Sequence, residues 1–356
     1  MKKERVVVAM SGGVDSSVTA ALLKNEGYEV IGITMCFSLI DVERKKPACC
    51  GIQGIEDAQR VAHKLGIKHY VLNMQKPLND YVIRDFLNEY ARGHTPNPCV
   101  RCNQYLKFGT ILKKALSLDA KYLATGHYAR IVKTKNGLLL KKAKDLHKDQ
   151  SYFLYRLNQG QLRHILFPLG NYTKVEVREM ARKFGLSVAE KKGSQEICFL
   201  PQVNYRPFLE KALGNRIKPG VILDSKGNIL GKHRGVAFYT TGQREGLGIA
   251  KGYPVYVTGI NPNNNEITIG RKEEALKKEF ILSNPHWVNE KIKKKVAAGV
   301  RIRYNHQEET AWIIPLRNKI KVRFNEPQFA ITPGQAAVFY KKGLVLGGGC
   351  IEKVLE

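Results

Sequence analysis

No stretch of this chain is apolar for long enough to cross a bilayer as a helix. Nor does a secretory h-region precede the first strand pattern: Met1-Lys2-Lys3-Glu4-Arg5 runs straight into Val6-Val7-Val8. The expectation is a cytoplasmic protein with no membrane partner. Acids are scarce, 31 Asp and Glu against 59 Lys and Arg, which leaves a net charge of +28. Heat-adapted proteins gain Lys and Glu together, so the missing acids argue against surface ion pairing as the source of the excess and for a polyanionic partner, nucleic acid above all. The seven cysteines are odd in number, and a reducing compartment disfavours a disulfide framework. No internal repeat and no low-complexity tract is present, and only one C-x-x-C occurs. The lysine-bearing phosphate loop G-x-x-x-x-G-K-[ST] is also missing.

In its place stands Ser11-Gly12-Gly13-Val14-Asp15-Ser16-Ser17, after the apolar run Val6 to Met10 and before the periodic segment Val18 to Leu23. The order reads strand, glycine turn, helix. Glycines allow positive φ and close backbone approach, and the helix start behind them offers unpaired N–H groups to a phosphate. Asp15 is a candidate helix cap or Mg²⁺ ligand. The heptapeptide resembles the SGGxDS pyrophosphate loop of enzymes that split ATP into AMP and pyrophosphate.

Residues 5–125 alternate strand and helix patterns, with strands expected at Val6–Met10, Glu29–Phe37, His69–Met74 and Tyr122–Thr125 and helices at Gln53–Leu65, Leu78–Tyr90 and Gln104–Leu116. Repeated β-α-β implies an α/β fold, a doubly wound parallel sheet whose ligands sit at the strand carboxyl ends. That rim would carry the loop at 11–17, Met35 and Gly126-His127. Residues 150–200 read as helical and linking, with helices over Leu157–Leu166 and Lys174–Phe184. Beyond about residue 205 short strands and turns dominate, and from about residue 280 alternating strands suggest a small β-barrel. The expected division is 1–205 for nucleotide binding and catalysis, 206–279 for a small β-rich middle, and 280–356 for the barrel.

Thr95-Pro96-Asn97-Pro98-Cys99-Val100-Arg101-Cys102-Asn103 is stiffened by two prolines and places Cys99 and Cys102 just before the expected helix at Gln104. Thiols near a helix start and beside Arg101 should have lowered pKa values and react or bind metal. With one C-x-x-C, a closed tetrahedral zinc site is disfavoured, and the remaining candidate partner is Cys198. Cys49-Cys50 reads as incidental, and Cys36 and Cys350 as small hydrophobes in strands.

Taken with Ala124 to Tyr128, Lys148-Asp149-Gln150-Ser151-Tyr152-Phe153-Leu154, Gln195-Glu196-Ile197-Cys198-Phe199, Thr241 to Ile249 and Pro333-Gly334-Gln335, these motifs resemble the bacterial tRNA-specific 2-thiouridylase family over nearly the whole chain. The resemblance implies ATP with Mg²⁺ bound by Ala9, Met10, Ser11, Gly12, Gly13, Val14, Asp15 and Ser16, with Met35 and Gly126 near the adenine and ribose. It implies Cys102 as nucleophile and Cys198 as persulfide carrier. Asn97, Pro98 and Cys99 would face the target base, and His127, Lys148, Asp149, Gln150, Arg303, Tyr304 and Gln335 would contact tRNA. The wobble uridine would be thiolated at C2 by adenylation and sulfur transfer, with the sulfur taken from a separate donor. Many members carry Asp where this chain has Cys99. Cys99, Cys102 and Cys198 are therefore also candidate ligands of a [4Fe–4S] cluster, since thiolates are the usual ligands of such clusters, and the cluster is the favoured expectation over a persulfide alone. An ATP-dependent amide ligase with structural cysteines, or an RNA-binding protein with a vestigial loop, are the rival readings.

Overall fold

The computed structural model describes residues 3–37, 39–41, 46–48, 52–135, 137–191, 193, 197–200 and 205–355. Cys49 and Cys50 lie outside the described residues. The chain divides into two compact units: Met1–Val82, Cys99–Pro201 and Lys342–Leu346 in the first, and Ile83–Pro98, Gln202–Lys341 and Gly347–Glu356 in the second.

The first unit is built on β1 (Arg5–Ala9) and β2 (Glu29–Cys36). Val6, Val7 and Val8 are fully buried, as a strand covered on both faces requires. Five parallel strands run in the order Lys68–Asn73, β2, β1, Tyr122–Thr125, Ile165–Leu166. Val7 lies opposite Ile31 on one side and Leu123 on the other. The chain grows outward from β1 through β2, then returns to the opposite side of β1. The crevice beyond the carboxyl ends of β1 and Tyr122–Thr125 is therefore the switch point where doubly wound sheets bind ligands.

Helix α1 (Val14–Asn25) follows β1 and is buried almost all round, through Val14, Ser16, Ser17, Val18, Thr19, Ala20, Ala21 and Leu23. It lacks an amphipathic pattern because two layers cover it: the β1 sheet, and the helix Lys174–Lys183 through Val177 and Ala181. Burying a side chain such as Leu23 is worth about 1.5–3 kcal/mol. Helix α2 (Ile52–Lys64) returns toward Lys68–Asn73.

Three local expectations change. Ile165–Leu166 is an edge strand, and only Gln159–Leu162 of that stretch is helical, started by an Asn158 capping box. Ala129–Thr134 and Gly137–Lys142 form an antiparallel hairpin that the sequence reading missed, and Leu344 pairs with Lys141. The helix expected from Gln104 starts at Pro98, and its stretch Cys102–Ile111 is wound wider, with Leu112 N–H bonding to the Lys107 carbonyl five residues back.

The second unit holds a four-stranded sheet in the order Ile229–His233, Gly220–Leu223, Glu266–Gly270, Tyr256–Asn261. It also holds a ring of antiparallel strands: Leu276–Trp287, Ile320–Phe329, Glu309–Pro315, Val296–Arg301, Ala336–Lys341 and Leu344–Val354. The ring closes because Leu276–Trp287 pairs back with Leu344–Val354. Ala311, Ile313, Val322, Phe324, Phe280 and Ile351 are buried, while Thr310 and Trp312 turn outward, which is the period-two alternation of a filled barrel.

Candidate active site

The glycine loop sits at the switch point. Met10 is buried and its N–H bonds to the Ile33 carbonyl at 2.8 Å. Gly12 has φ +70°, and a Cβ there would lie 2.0 Å from the Gly54 carbonyl oxygen at the start of α2, so only glycine fits. Ser11 N–H donates to Ser16 Oγ at 3.1 Å, and the Ser16 and Ser17 hydroxyls both donate to the Gly13 carbonyl at 3.1 and 2.9 Å. These bonds pin the turn without occupying the helix start: α1 begins behind Gly13 with no side-chain cap. Gly126, one residue past its strand, presses against the first turn, where a Cβ would meet Ser16 N at 2.9 Å.

Asp15 does not cap the helix. Its carboxylate accepts from Lys174 Nζ at 2.5 Å and from the Tyr128 hydroxyl at 2.8 Å. Burial, then Asp15, pushes the Tyr128 phenol far up, so it remains a donor. A second pair stands on the other flank: Lys191 Nζ reaches Asp57 Oδ2 at 2.5 Å and the Gly12 carbonyl at 3.2 Å. Burial acts to raise the Asp57 carboxyl, but donors from Lys191, Arg60 and Gln53 bring it below its ordinary value. The loop without a lysine of its own therefore has two beside it, from residues 159 and 179 positions along the chain from their loop partners. Sequence reasoning missed both, since nothing local marks them. Met35 is half-buried near the carboxyl end of β2, opposite Leu72.

Cys99 and Cys102 lie on the helix Pro98–Arg101 and its wide continuation. Their thiols are not lowered as expected. Burial pushes Cys99 up to about 11 and raises Cys102 as well, with Lys107 pulling weakly the other way on both. The helix begins at Pro98, which puts Cys102 beyond the first turn where the dipole acts. Arg101 lies over the Tyr105 ring, its guanidinium carbon 5.9 Å from the centroid. Asn103 donates through Nδ2 to the Phe153 carbonyl at 3.3 Å, while its Oδ1 is buried without a partner among the described residues.

His127 is buried. Its Nδ1 meets Thr125 Oγ1 at 2.7 Å and its Nε2 faces Lys107 Nζ at 3.4 Å. Burial, then Lys107, holds it well below the usual imidazole value, so it is neutral. Asp149, also buried, accepts from Ala143 N–H, Ser151 N–H and Ser151 Oγ, the bonding of a turn organiser. Gln150 Oε1 accepts from Tyr128 N–H at 3.0 Å, and Lys148 is exposed. Cys198 is exposed whereas Cys102 is buried. Among the described residues, which include Cys99, Cys102 and Cys198, no three His, Cys, Asp or Glu side chains converge to hold a metal ion. As placed, the three thiols do not fit the ligand set of a cluster.

In the second unit the segment before Pro98 is held from the barrel side. Thr95 N–H donates to the Pro333 carbonyl at 2.9 Å, and Gln335 Nε2 donates to the Thr95 and Pro96 carbonyls at 2.9 and 3.3 Å. Gly334 (φ +91°) leaves no room for a Cβ, which would lie 2.8 Å from Thr95 N. Thr95 and Thr240 hydroxyls meet at 2.9 Å. Asn97 is half-buried at the end of this braced stretch. Arg303 donates to the Phe329 carbonyl at 3.0 Å, and the Tyr304 carbonyl accepts from Arg301. Part of the basic barrel surface is paired: Lys319 with Glu352, and Lys321 and Arg323 with Glu279. Ion pairing thus takes up more of the barrel's positive charge than composition suggested.

A glycine turn uncapped at a switch point, in the same unit as a buried thiol on a wide helix, defines a nucleotide-loop α/β protein with a cysteine site. Family models agree: residues 4–202 match the tRNA methyl transferase HUP domain, 206–271 the tRNA methyl transferase PRC-barrel domain, and 277–351 the aminomethyltransferase beta-barrel domain. The tRNA-specific 2-thiouridylase MnmA of Halothermothrix orenii is 52% identical over 98% of this chain and 99% of its own length. That of Carboxydothermus hydrogenoformans is 50% identical over 99% of both. Among solved structures, a 4-thiouridine synthetase bound to RNA and ATP shares 17% identity and a TM-score of 0.33 over 60% of this chain and 50% of that one, a likeness too weak to bear on function. The chain belongs to the tRNA-specific 2-thiouridylase family. No described helix is long and apolar enough to cross a membrane.

Proposed function

We propose that the chain thiolates the wobble uridine of tRNA at C2, using ATP. The observation that carries this reading is the pairing, within one unit, of the uncapped glycine-turn helix with a buried Cys102 and an exposed Cys198. Oxygen leaves a pyrimidine poorly. Attack of the uridine O2 on the α-phosphorus of ATP, with the N3 proton passing to water and pyrophosphate departing, makes that oxygen part of AMP, a good leaving group. Ser11 to Ser16 would receive the phosphates at the helix start, and Mg²⁺ on Asp15 would neutralise charge developing on them. Asp15 would exchange its Lys174 contact for the ion.

The sulfur route that suits the two thiols is a persulfide. An exposed Cys198 can take sulfur from an external donor, while a buried Cys102 is kept for the second step. The terminal persulfide sulfur attacks C2 and expels AMP. The Cys102 thiol then attacks Cys198 Sγ as its proton passes to N3 of the departing base, the S–S electron pair leaves with the product sulfur as 2-thiouridine, and a Cys102–Cys198 disulfide remains for a thiol reductant to open. No step is routed through a cluster. In the second unit the barrel and the segment ending at Asn97 and Pro98 would bind the anticodon loop, with Arg303 and Tyr304 near its phosphates; Lys148, in the first unit, would make a tRNA contact of its own.

Separate Cys102→Ser and Cys198→Ser variants should bind ATP normally and form no 2-thiouridine, read by nucleoside mass spectrometry. Full activity in either variant overturns its role. Iron analysis of anaerobically purified protein checks the sulfur route: an iron-free, colourless enzyme that thiolates tRNA supports the persulfide, and iron in stoichiometric amount with activity lost on its removal overturns it.

A further inference from the structure

The wide helix carries two polar groups that nothing so far employs. Asn103 is 3% exposed; its amide orientation is set by donation to the Phe153 carbonyl, and its Oδ1 is sealed from solvent with no donor among the described residues. Lys107 is half-buried, faces the neutral His127 at 3.4 Å, and has no carboxylate within ion-pair distance among the described residues. A buried acceptor without a donor costs about 1–3 kcal/mol, and a cation set among thiols and a neutral ring is likewise under-satisfied. The stretch Cys102–Ile111 bonds five residues apart rather than four. That winding brings Lys107 back over Cys102 and Asn103, five and four positions earlier, so thiol, acceptor and cation share one side of the helix.

We propose that Asn103 and Lys107 read the imide edge of the target uracil, Asn103 Oδ1 accepting from N3–H and the Lys107 ammonium donating to the C4 carbonyl. This rests on the reading of the chain as a uridine thiolase and goes beyond it by naming what selects the base. Because the C2 oxygen is consumed by the reaction, N3–H and O4 are the groups left to recognise. Cytosine has the opposite polarity at both places: a lone pair at N3 against the Asn103 oxygen, and an amino group at C4 against the ammonium. Burial makes the pair selective, since water cannot satisfy the acceptor when the wrong base enters. The two residues act at different moments. N3 loses its proton on adenylation, so Asn103 serves binding, whereas the negative charge passing onto the ring keeps Lys107 engaged through the chemical step.

The test uses the full-length protein with anticodon stem–loop RNAs carrying uridine, cytidine or 3-methyluridine at the target position, measuring RNA affinity and ATP-dependent AMP release. Wild-type protein should favour uridine over both others by about 100-fold or more in kcat/KM. Asn103→Ala should shrink that preference at least tenfold, mainly through KM. Lys107→Gln should lower kcat, with Lys107→Arg restoring most of it, and ATP affinity should stay unchanged in all three. An unaltered preference in both Asn103→Ala and Lys107→Gln overturns the assignment, as does equal use of 3-methyluridine by the wild type. If Asn103→Ala melts early through loss of the Phe153 bond, Lys107→Gln and the methylated substrate decide the matter. Failure of the wild type to thiolate uridine at all would instead sink the broader function.

Discussion

Around the glycine loop each charged side chain already has its partner, Asp15 with Lys174 and Asp57 with Lys191. Along the wide helix an ammonium has a neutral ring beside it but no carboxylate, and a buried carbonyl oxygen has no donor, among the described residues. The first region is a finished cradle, assembled from backbone N–H groups and held in shape by hydroxyl-to-carbonyl bonds, and suits a ligand whose phosphates are always alike. The second is unfinished, and on the proposed reading its missing bonds are those a particular base would supply. On that reading, rigidity serves the common substrate and unmet bonding the selected one.

The comparison breaks most sharply at Gly12. Replacing it with Val puts a branched side chain at φ +70° against the Gly54 carbonyl, and ATP binding followed by calorimetry should disappear, with a stability loss of about 2 kcal/mol or more. Unchanged ATP affinity would show that the turn is not the nucleotide cradle. Next in size is the Asp15 pair. Lys174→Met leaves a partly buried carboxylate with Tyr128 alone, and denaturant melts should show about 1–2 kcal/mol lost, less when Asp15→Asn is made first. Strict additivity of the two changes would mean that the pair contributes nothing in solution.

Gln335→Ala tests the second unit. It removes two donations into the Thr95 and Pro96 carbonyls, worth about 1–2 kcal/mol together. Amide exchange across 94–97 should quicken, and KM for tRNA should rise more than kcat falls. An unchanged exchange rate would leave Gln335 as a plain surface contact. The smallest effect is a slope. Burial, then the positive charge of Arg303, holds His306 down to about 4. The unfolded chain takes up a proton near pH 6.5 and the folded one only near 4, so stability falls as pH drops through that window and levels off below it. His306→Asn should flatten that limb of a melting-temperature profile; an identical limb in the variant assigns the slope elsewhere.

Local patterning carried much of the first unit. The apolar runs of β1, β2 and Tyr122–Thr125 and the glycine loop between β1 and α1 were legible because strand, turn and helix each follow from a few adjacent residues. Lys174 and Lys191 were not, since their contacts with the loop come from packing alone. The thiol shifts were misjudged for a related reason: proximity to a helix start is visible in sequence, but the burial that outweighs it at Cys99 and Cys102 is tertiary. The change to wider winding at Cys102 has no compositional mark. The barrel was legible in the alternating strands beyond about residue 280, while Leu276–Trp287, which closes it, straddles that expected boundary and interrupts its alternation with a bulge near Lys277.

That closure has a bearing on handling. A ring has no free edge, so its strands offer neighbouring molecules no backbone to zip onto. The small four-stranded sheet ends on both sides, and on one of those ends Ile229 is 70% exposed. When concentrated stocks turn cloudy, the clumping should start at Ile229–His233, and a lysine at position 229 should keep them clear.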